Sequence, residues 1–337
     1  MSTDEKALIG WSDGRVLLGH GPFERVTDPP GSGAAFYHND FGLGFAQPWL
    51  VPSRWEFLTP DEVVANLAPT GSPEIAWTVP EASDFAGVFE EITTSIRWGI
   101  FEKTVPVVVE RGRVRNGDAS GLLARVSSAS LPLVPYGYAC GDGGFAGMSP
   151  EHLLVLEGRR LKTMALAGTA RADEREVLEA DEQEIRAHEF GAQALVSKLG
   201  DLGDLRRGPR EIMDLGPIVH FHTPVEVELA GDEAVDDLIR RLHPTPALGP
   251  LPRTGETMAR LIAWRKRLGA PEEFGAPFGA IVDGVFRGLV AIRGIWWQTD
   301  RVLLPAGCGV IEASRLVNEW RELRLKREAV KARFGLG

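Results

Sequence analysis

Apolar residues recur along this chain with two periods. Over residues 84–100 ("DFAGVFEEITTSIRWGI"), Phe85, Val88, Phe89, Ile92 and Ile96 return every three or four positions, the spacing of a helix with one buried face. Further helices are predicted over 173–198, where Val177, Leu178, Ile185 and Leu195 keep a looser period, and at "DEAVDDLIRRL", "ETMARLIAWRKRLG" and the closing "NEWRELRLKREAV". Elsewhere the apolar positions gather in short runs bounded by glycine. These are "KTVPVVVERG", where Pro106 suggests an edge or a bulge, then "LPLVPYGYACG", "GGFAGMSP", "HLLVLEG", "RRLKTMALAG" and "PIVHFHTPVEVELAG". The stretch "PFGAIVDGVFRGLVAIRGIWWQTDRVLLPAGCGVI" predicts a meander of three or four strands, and residues 1–85, rich in Gly, Pro and Trp, predict short strands and turns. Strand blocks alternate with helices without a regular βαβ rhythm, so the expected class is α+β.

Composition narrows the functional classes. The chain has 337 residues, 44% hydrophobic and 25% charged, with a formal charge of −10 and a pI near 5.3. Nucleic-acid binding is not expected, because it needs a basic stripe. An acidic protein that takes a small anion must hold it with local cations or a metal. Cys140 and Cys308 are the two cysteines, with neither zinc spacing nor a disulfide framework. The N-terminal "MSTDEKALIGWSDG" lacks the basic and apolar regions of a signal peptide, and no apolar run reaches the ~18 residues of a membrane helix. A soluble cytoplasmic protein is expected.

Familiar catalytic signatures are missing: the chain has no G-x-S-x-G, Walker loop or HExxH. "GDGGFAG" reads as a strand turn. In "HFHT", His220 and His222 can share a strand face, but no third metal ligand lies nearby in sequence. More informative are unusual residues at strand ends. Glu151 follows a Ser-Pro turn, Thr169 closes "ALAGT", and Arg293 sits inside an apolar strand, where an unpaired cation is costly. "LHPTPALG" sets His243 and two prolines after a helix, and "PAGCGV" offers backbone amides to an anion. On the last helix, Glu319, Glu322 and Lys326 form one stripe, either a solvated face or a site for an anion and a metal.

Taken in order, "FEKTV", "GMSPEHLL", "LKTMALAGTAR", "RAHEF", "VHFHT", "LHPTPALG", "VAIRG", "PAGCGVIEAS" and "NEWRELRLK" resemble the chorismate-binding fold shared by isochorismate, salicylate, anthranilate and aminodeoxychorismate synthases. The likeness runs over residues 101–333. It implies two stacked, mainly antiparallel sheets with helices outside, residues 1–90 being a strand-rich part of the same fold as the core 91–337. It implies chorismate as substrate, Mg²⁺ as cofactor, Lys103 as the base that activates water, and Glu151 as the acid that protonates the departing 4-hydroxyl. By the same resemblance Ala167, Gly168, Thr169, His220, Thr245, Arg293, Gly307, Gly309 and Lys326 contact substrate, while Glu184, Glu319 and Glu322 hold the metal. "ALAGT" is similar to the water-using members, so isochorismate synthase is the nearest type, acting as a monomer without a glutaminase partner. The pathway it would serve is menaquinone, siderophore or specialised-metabolite synthesis.

The chain departs from that pattern at one metal position. Where the family reads Glu-His, this chain has Ala187-His188, with Glu184 one turn earlier on the same face. Gln183, Phe274 and Cys308 also replace residues usual in the family. Losing a carboxylate weakens a hard-cation site. Three readings follow: an isochorismate synthase with a rearranged metal site, a divergent and metal-independent chorismate-converting enzyme with another product, or a non-catalytic chorismate binder.

Overall fold

The computed structural model describes residues 5–67, 73–129 and 131–336. Among them are 17 strands, and every pairing is antiparallel. The pairings form one continuous ribbon. It runs from Glu74–Thr78 through Val107–Asn116, Arg301–Gly307, Gly294–Gln298, Gly143–Ser149 and Val134–Cys140 to Lys6–Gly10. The long strands Val16–Val26 and Trp49–Leu58 carry it round into a second half. There Ala34–His38, Pro277–Val282, Val285–Val290, His152–Glu157, Arg160–Arg171 and Ile218–Leu229 follow in turn. Gly203–Arg207 and Glu211–Asp214 both pair with the last of these.

The ribbon folds so that its halves stack. Phe145 and Tyr136 from the first half meet Phe278 from the second, with ring centroids 5.4 and 5.9 Å apart. Alternation along each strand puts these rings inward, and each such buried side chain contributes roughly 1.5–3 kcal/mol. Helices cover the outer faces. Leu195, Leu238 and Leu261 pack against the second half, while Val330 and Phe334 pack against the first. The helix Ala82–Arg97 buries the predicted Phe85, Val88, Ile92 and Ile96 against Leu323 and Trp264.

Three expectations need correction, and two strands carried no expectation at all. The strand-like N-terminal region contains a helix, Pro60–Asn66, whose Thr59–Glu62 capping box closes it at the N-terminus. The charged helix over 173–198 is broken: Arg175–Ala180 ends, and Asp181 then caps the first turn of Glu182–Leu199. The short strands Gly203–Arg207 and Glu211–Asp214 carry too little apolar pattern to be read from sequence. Finally, Val107–Asn116 is an inner strand paired on both sides, and Pro106 stands just before it.

Candidate active site

One group of strand ends and helix faces encloses a cavity of about 640 Å³, within the ~300–1,000 Å³ range of small-ligand sites. Lys103, Glu151, Ala167, Gly168, Thr169, Glu184, His220, Arg293, Gly307, Gly309, Glu319, Glu322 and Lys326 all line it. Thr245 lines a second chamber that shares Lys103 and Glu151 with the first. Residues up to 223 positions apart, Lys103 and Lys326 by subtraction of their numbers, thus meet in one space.

Lys103 lies in an extended loop whose backbone bridges to Leu251, tying it to the segment that carries Thr245. Its Nζ donates to the Pro246 carbonyl at 2.9 Å. A Cβ on residue 309 would come within 2.9 Å of Lys103 Cε, so glycine there leaves room for the lysine. Lys103 is ringed by protein, and what surface it keeps faces the cavity. Burial therefore lowers its pKa, with the Glu184 carboxylate pulling the other way and Lys326 reinforcing the drop.

Glu151 sits in the Ser-Pro turn between Gly143–Ser149 and His152–Glu157. The Ser149 hydroxyl accepts from its N–H at 3.2 Å, and its carbonyl accepts from Val290 N–H at 3.0 Å. Its side chain is 1% exposed, and neither carboxyl oxygen has a hydrogen-bond partner. Burial pushes its pKa up to about 7; the nearby Thr245 hydroxyl, then Lys103, Arg293 and Lys326, pull against that rise. The Thr245 hydroxyl approaches without completing a bond, and is itself unpaired. Buried polar atoms without partners are costly and rare, so two such groups facing a cavity mark a place where a ligand completes the bonding.

Arg293 lies not inside a strand, as expected, but in the bend between Val285–Val290 and Gly294–Gln298, in a left-handed conformation, φ +59°, which a non-glycine residue adopts only under constraint. Its Nη2 donates to His220 Nε2 at 2.8 Å. His220 Nδ1 donates in turn to the Gly168 carbonyl at 2.6 Å and lies 3.2 Å from the Thr169 hydroxyl. Burial, helped by the Arg293 charge, drives the His220 pKa well down, so the ring is neutral and both nitrogens are committed. That rules His220 out as half of a zinc pair with His222. Gly168 and Thr169 can reach His220 because the pairing of Arg160–Arg171 with Ile218–Leu229 bulges between Ala167 and Ala170. Gly168 takes φ +67°, a conformation that favours glycine.

Across the cavity, the helix Leu316–Phe334 presents the Glu319, Glu322 and Lys326 stripe. Lys326 Nζ lies 2.5 Å from Glu322 Oε1 and donates to the Gly307 carbonyl at 2.9 Å. Burial and the Glu322 charge push Glu319 up to about 7, and the same two causes raise Glu184. Two carboxylates raised by burial and by the charge of a third suit a divalent cation. Among the described residues, no three His, Cys, Asp or Glu side chains converge into a preformed cage. Glu184, Glu319 and Glu322 are the carboxylates that could hold a hard cation such as Mg²⁺, which binds through one or two carboxylates and retained waters. Ala187 lines the cavity beside Gln183, and Glu184 stands one turn before it. Glu189 points away and pairs with Arg207 at 2.6 Å.

A family profile described as chorismate binding enzyme matches residues 76–335. The chain belongs to the chorismate-binding enzyme family. Isochorismate synthase EntC of Escherichia coli is 30% identical over 237 residues, 65% of this chain and 58% of that protein. The salicylate biosynthesis isochorismate synthase of Pseudomonas aeruginosa is 30% identical over 292 residues, covering 80% of this chain and 59% of that enzyme. The chain thus spans less than two thirds of the length of these relatives. In fold, it matches MenF, the menaquinone-specific isochorismate synthase of Escherichia coli, with a TM-score of 0.84 at 20% identity over 98% of this chain and 89% of that one. Anthranilate synthase component I of Streptococcus pneumoniae aligns with a TM-score of 0.68 at 16% identity, over 99% and 93% of the two chains.

For this member of the chorismate-binding family, the cavity also has walls that the sequence motifs did not supply. Asn318, Arg321 and Arg171 line the inner cavity, and Met164, Phe190 and Leu251 line the adjoining chamber. Phe274, singled out in sequence as a replacement, lines the inner cavity. Its carbonyl accepts from Arg265, whose guanidinium lies 3.8 Å over the Phe41 ring. Arg265 is buried, although its neighbours Lys266 and Arg267 on the same helix are exposed.

Proposed function

We propose that this chain is an isochorismate synthase-type isomerase. Water adds to C2 of chorismate, the two ring double bonds shift, and the 4-hydroxyl leaves. The reading rests most on one observation: an amine with a lowered pKa and a carboxyl held near 7 border the same cavity, the carboxyl without a partner. Neutral Lys103 takes a proton from water as its oxygen bonds to C2. Protonated Glu151 gives its proton to the oxygen leaving C4, which departs as water. One water enters and one leaves, so the product is an isomer. Each proton transfer is worth on the order of 10²–10⁴ in rate.

Arg293, steadied by His220, supplies a fixed guanidinium fork for the enolpyruvyl carboxylate, beside the backbone at Gly307 and Gly309. Lys326 meets the ring carboxylate. Ala167, Gly168, Thr169 and Thr245 shape the wall around the ring. Glu322, with Glu319 and Glu184, would hold Mg²⁺, which when bound neutralises the ring carboxylate. The small walls at Ala165, Leu166 and Ala167 are similar to those of water-using members, and the same reading has a cytoplasmic monomer, folded as one unit, without a glutaminase partner. No helix among the described residues is long and apolar enough to cross a membrane.

A second reading, metal-independent conversion, is favoured by Ala187 and by Lys326 already neutralising Glu322. Incubation with chorismate, with and without Mg²⁺, chelator and ammonium, followed by mass spectrometry, separates these outcomes. An isomer formed only with Mg²⁺ supports the first reading, and an isomer that persists in chelator supports the second. Bound but unchanged chorismate in every condition contradicts both and leaves a non-catalytic binder.

A further inference from the structure

The catalytic cavity does not end at Lys103 and Glu151. A second chamber of about 580 Å³ opens beyond them and shares both side chains with the first. The inner cavity, at about 640 Å³, already lies within the ~300–1,000 Å³ that hold an entire small ligand. The outer chamber is therefore additional room. Between them, Ala167, Ala187, Ala247 and Ala313 border both spaces, as do the larger Leu166, Gln183 and Ile311.

The outer chamber has a definite chemistry. Its own wall includes Met164, Phe190, Gly191 and Leu251. Its rim carries two carboxylates, Glu102 and Glu182, against one guanidinium, Arg186. Arg186 lies 3.6 Å from Glu182 in an exposed pair, which leaves the Glu102 charge in excess. An acidic rim over an apolar chamber disfavours an anion and draws a basic amine from solvent, while the apolar wall favours its neutral form and its apolar body. Such a body lying in the chamber points its head toward Lys103, the group that borders both spaces. A site that admitted only water would not need this room beside its base.

Resting on the chorismate reading above, we infer that the outer chamber is a binding site for a primary amine with an apolar body, which serves as a nucleophile in place of water. The amine, neutral once inside the chamber, bonds through its nitrogen lone pair to C2 of chorismate, and the ammonium so formed loses one proton to neutral Lys103. The ring double bonds shift, the C4–O bond breaks, and the hydroxyl leaves as water with the proton from Glu151. The product is chorismate plus amine minus one water, and no further reactant is needed.

The test offers chorismate with methylamine, propylamine, butylamine and benzylamine in turn, and reads the ratio of amine adduct to isochorismate by mass spectrometry. Calorimetry measures amine binding without chorismate in parallel. Burial of the body predicts affinity and adduct ratio rising about fourfold per added methylene. Met164→Trp, which fills the chamber from one wall, should flatten both dependences and lower the benzylamine adduct ratio at least tenfold. Isochorismate alone at every amine concentration overturns the nucleophile role and leaves the isomerase reading standing. Size-dependent binding that Met164→Trp abolishes, with no turnover of chorismate, keeps the chamber as an amine site but refutes both the nucleophile role and the isomerase reading. Binding indifferent to body size overturns the site itself.

Discussion

Glu151 makes a prediction about stability that does not depend on any substrate. Its carboxyl is buried, unpartnered and pushed up to about 7 from an ordinary 4.5. A raised folded-state pKa means that the native protein binds the proton more tightly than the unfolded chain does. Its stabilising contribution is complete below about 4.5 and is lost as pH rises to about 7, above which the full penalty remains. Integrating between pH 5 and pH 8 gives a loss of roughly 2–3 kcal/mol from this one group. Glu151→Gln removes the titration. The glutamine amide also lacks partners, but that cost does not vary with pH. Glu319, likewise near 7, is present in both proteins and cancels from their difference. For a chain of 337 residues, a loss of that size corresponds to roughly 3–4 °C in Tm. Thermal unfolding of both proteins at several pH values should therefore show the variant gaining that much relative to wild type as pH rises from 5 to 8. A difference constant across that range would mean that Glu151 reaches solvent or a hidden partner, and the argument for it as a proton donor would fail.

Four further outcomes follow from the site. Lys103→Ala and Glu151→Ala should each lower kcat by roughly 10²–10⁴ without changing circular dichroism, and a loss under tenfold in either would remove that residue from proton transfer. In wild type, kcat/KM should fall about tenfold per pH unit above about 7, as Glu151 loses its proton, and a flat alkaline limb up to pH 9 would contradict that assignment. His220→Ala frees the Arg293 guanidinium, so KM for chorismate should rise by roughly tenfold with a smaller change in kcat; steady-state kinetics that show kcat alone affected would contradict a binding role for the pair. Ala187→Glu restores a carboxylate beside Glu184 and should tighten Mg²⁺ by roughly tenfold in calorimetry, whereas unchanged affinity would place the metal away from that helix.

Local pattern carried much of the fold. The helix over 84–100 and the strand runs around Glu151 and Arg293 each advertise their element by period and by flanking glycines, and each is observed. The break at Asp181 was harder to see, because the charged sequence on either side is helical and only the capping geometry divides it. Convergence of the site is a different matter. Arg293 in an apolar run signalled a buried partner, but nothing local says that it sits in a bend between two strands or that the partner is the neutral His220. That contact depends on a bulge at Gly168 and on pairings between strands far apart in sequence. The stripe on the last helix was ambiguous for the same reason. Glu322 and Lys326 make an ordinary pair at one helical turn, and only the surrounding walls turn it from a solvated face into part of a cavity. The outer chamber left no sequence signal, since methionine, leucine and alanine are ordinary core residues until a space opens between them.

The central claim is that Lys103 and Glu151 exchange one water for one hydroxyl across the chorismate ring. Turnover in water enriched in oxygen-18, with the product read by mass spectrometry, tests it most directly. The account predicts an isomer of chorismate that carries one heavy oxygen on the carbon attacked, while recovered substrate carries none. A product without the heavy label would show that the new hydroxyl did not come from water, and would contradict the account.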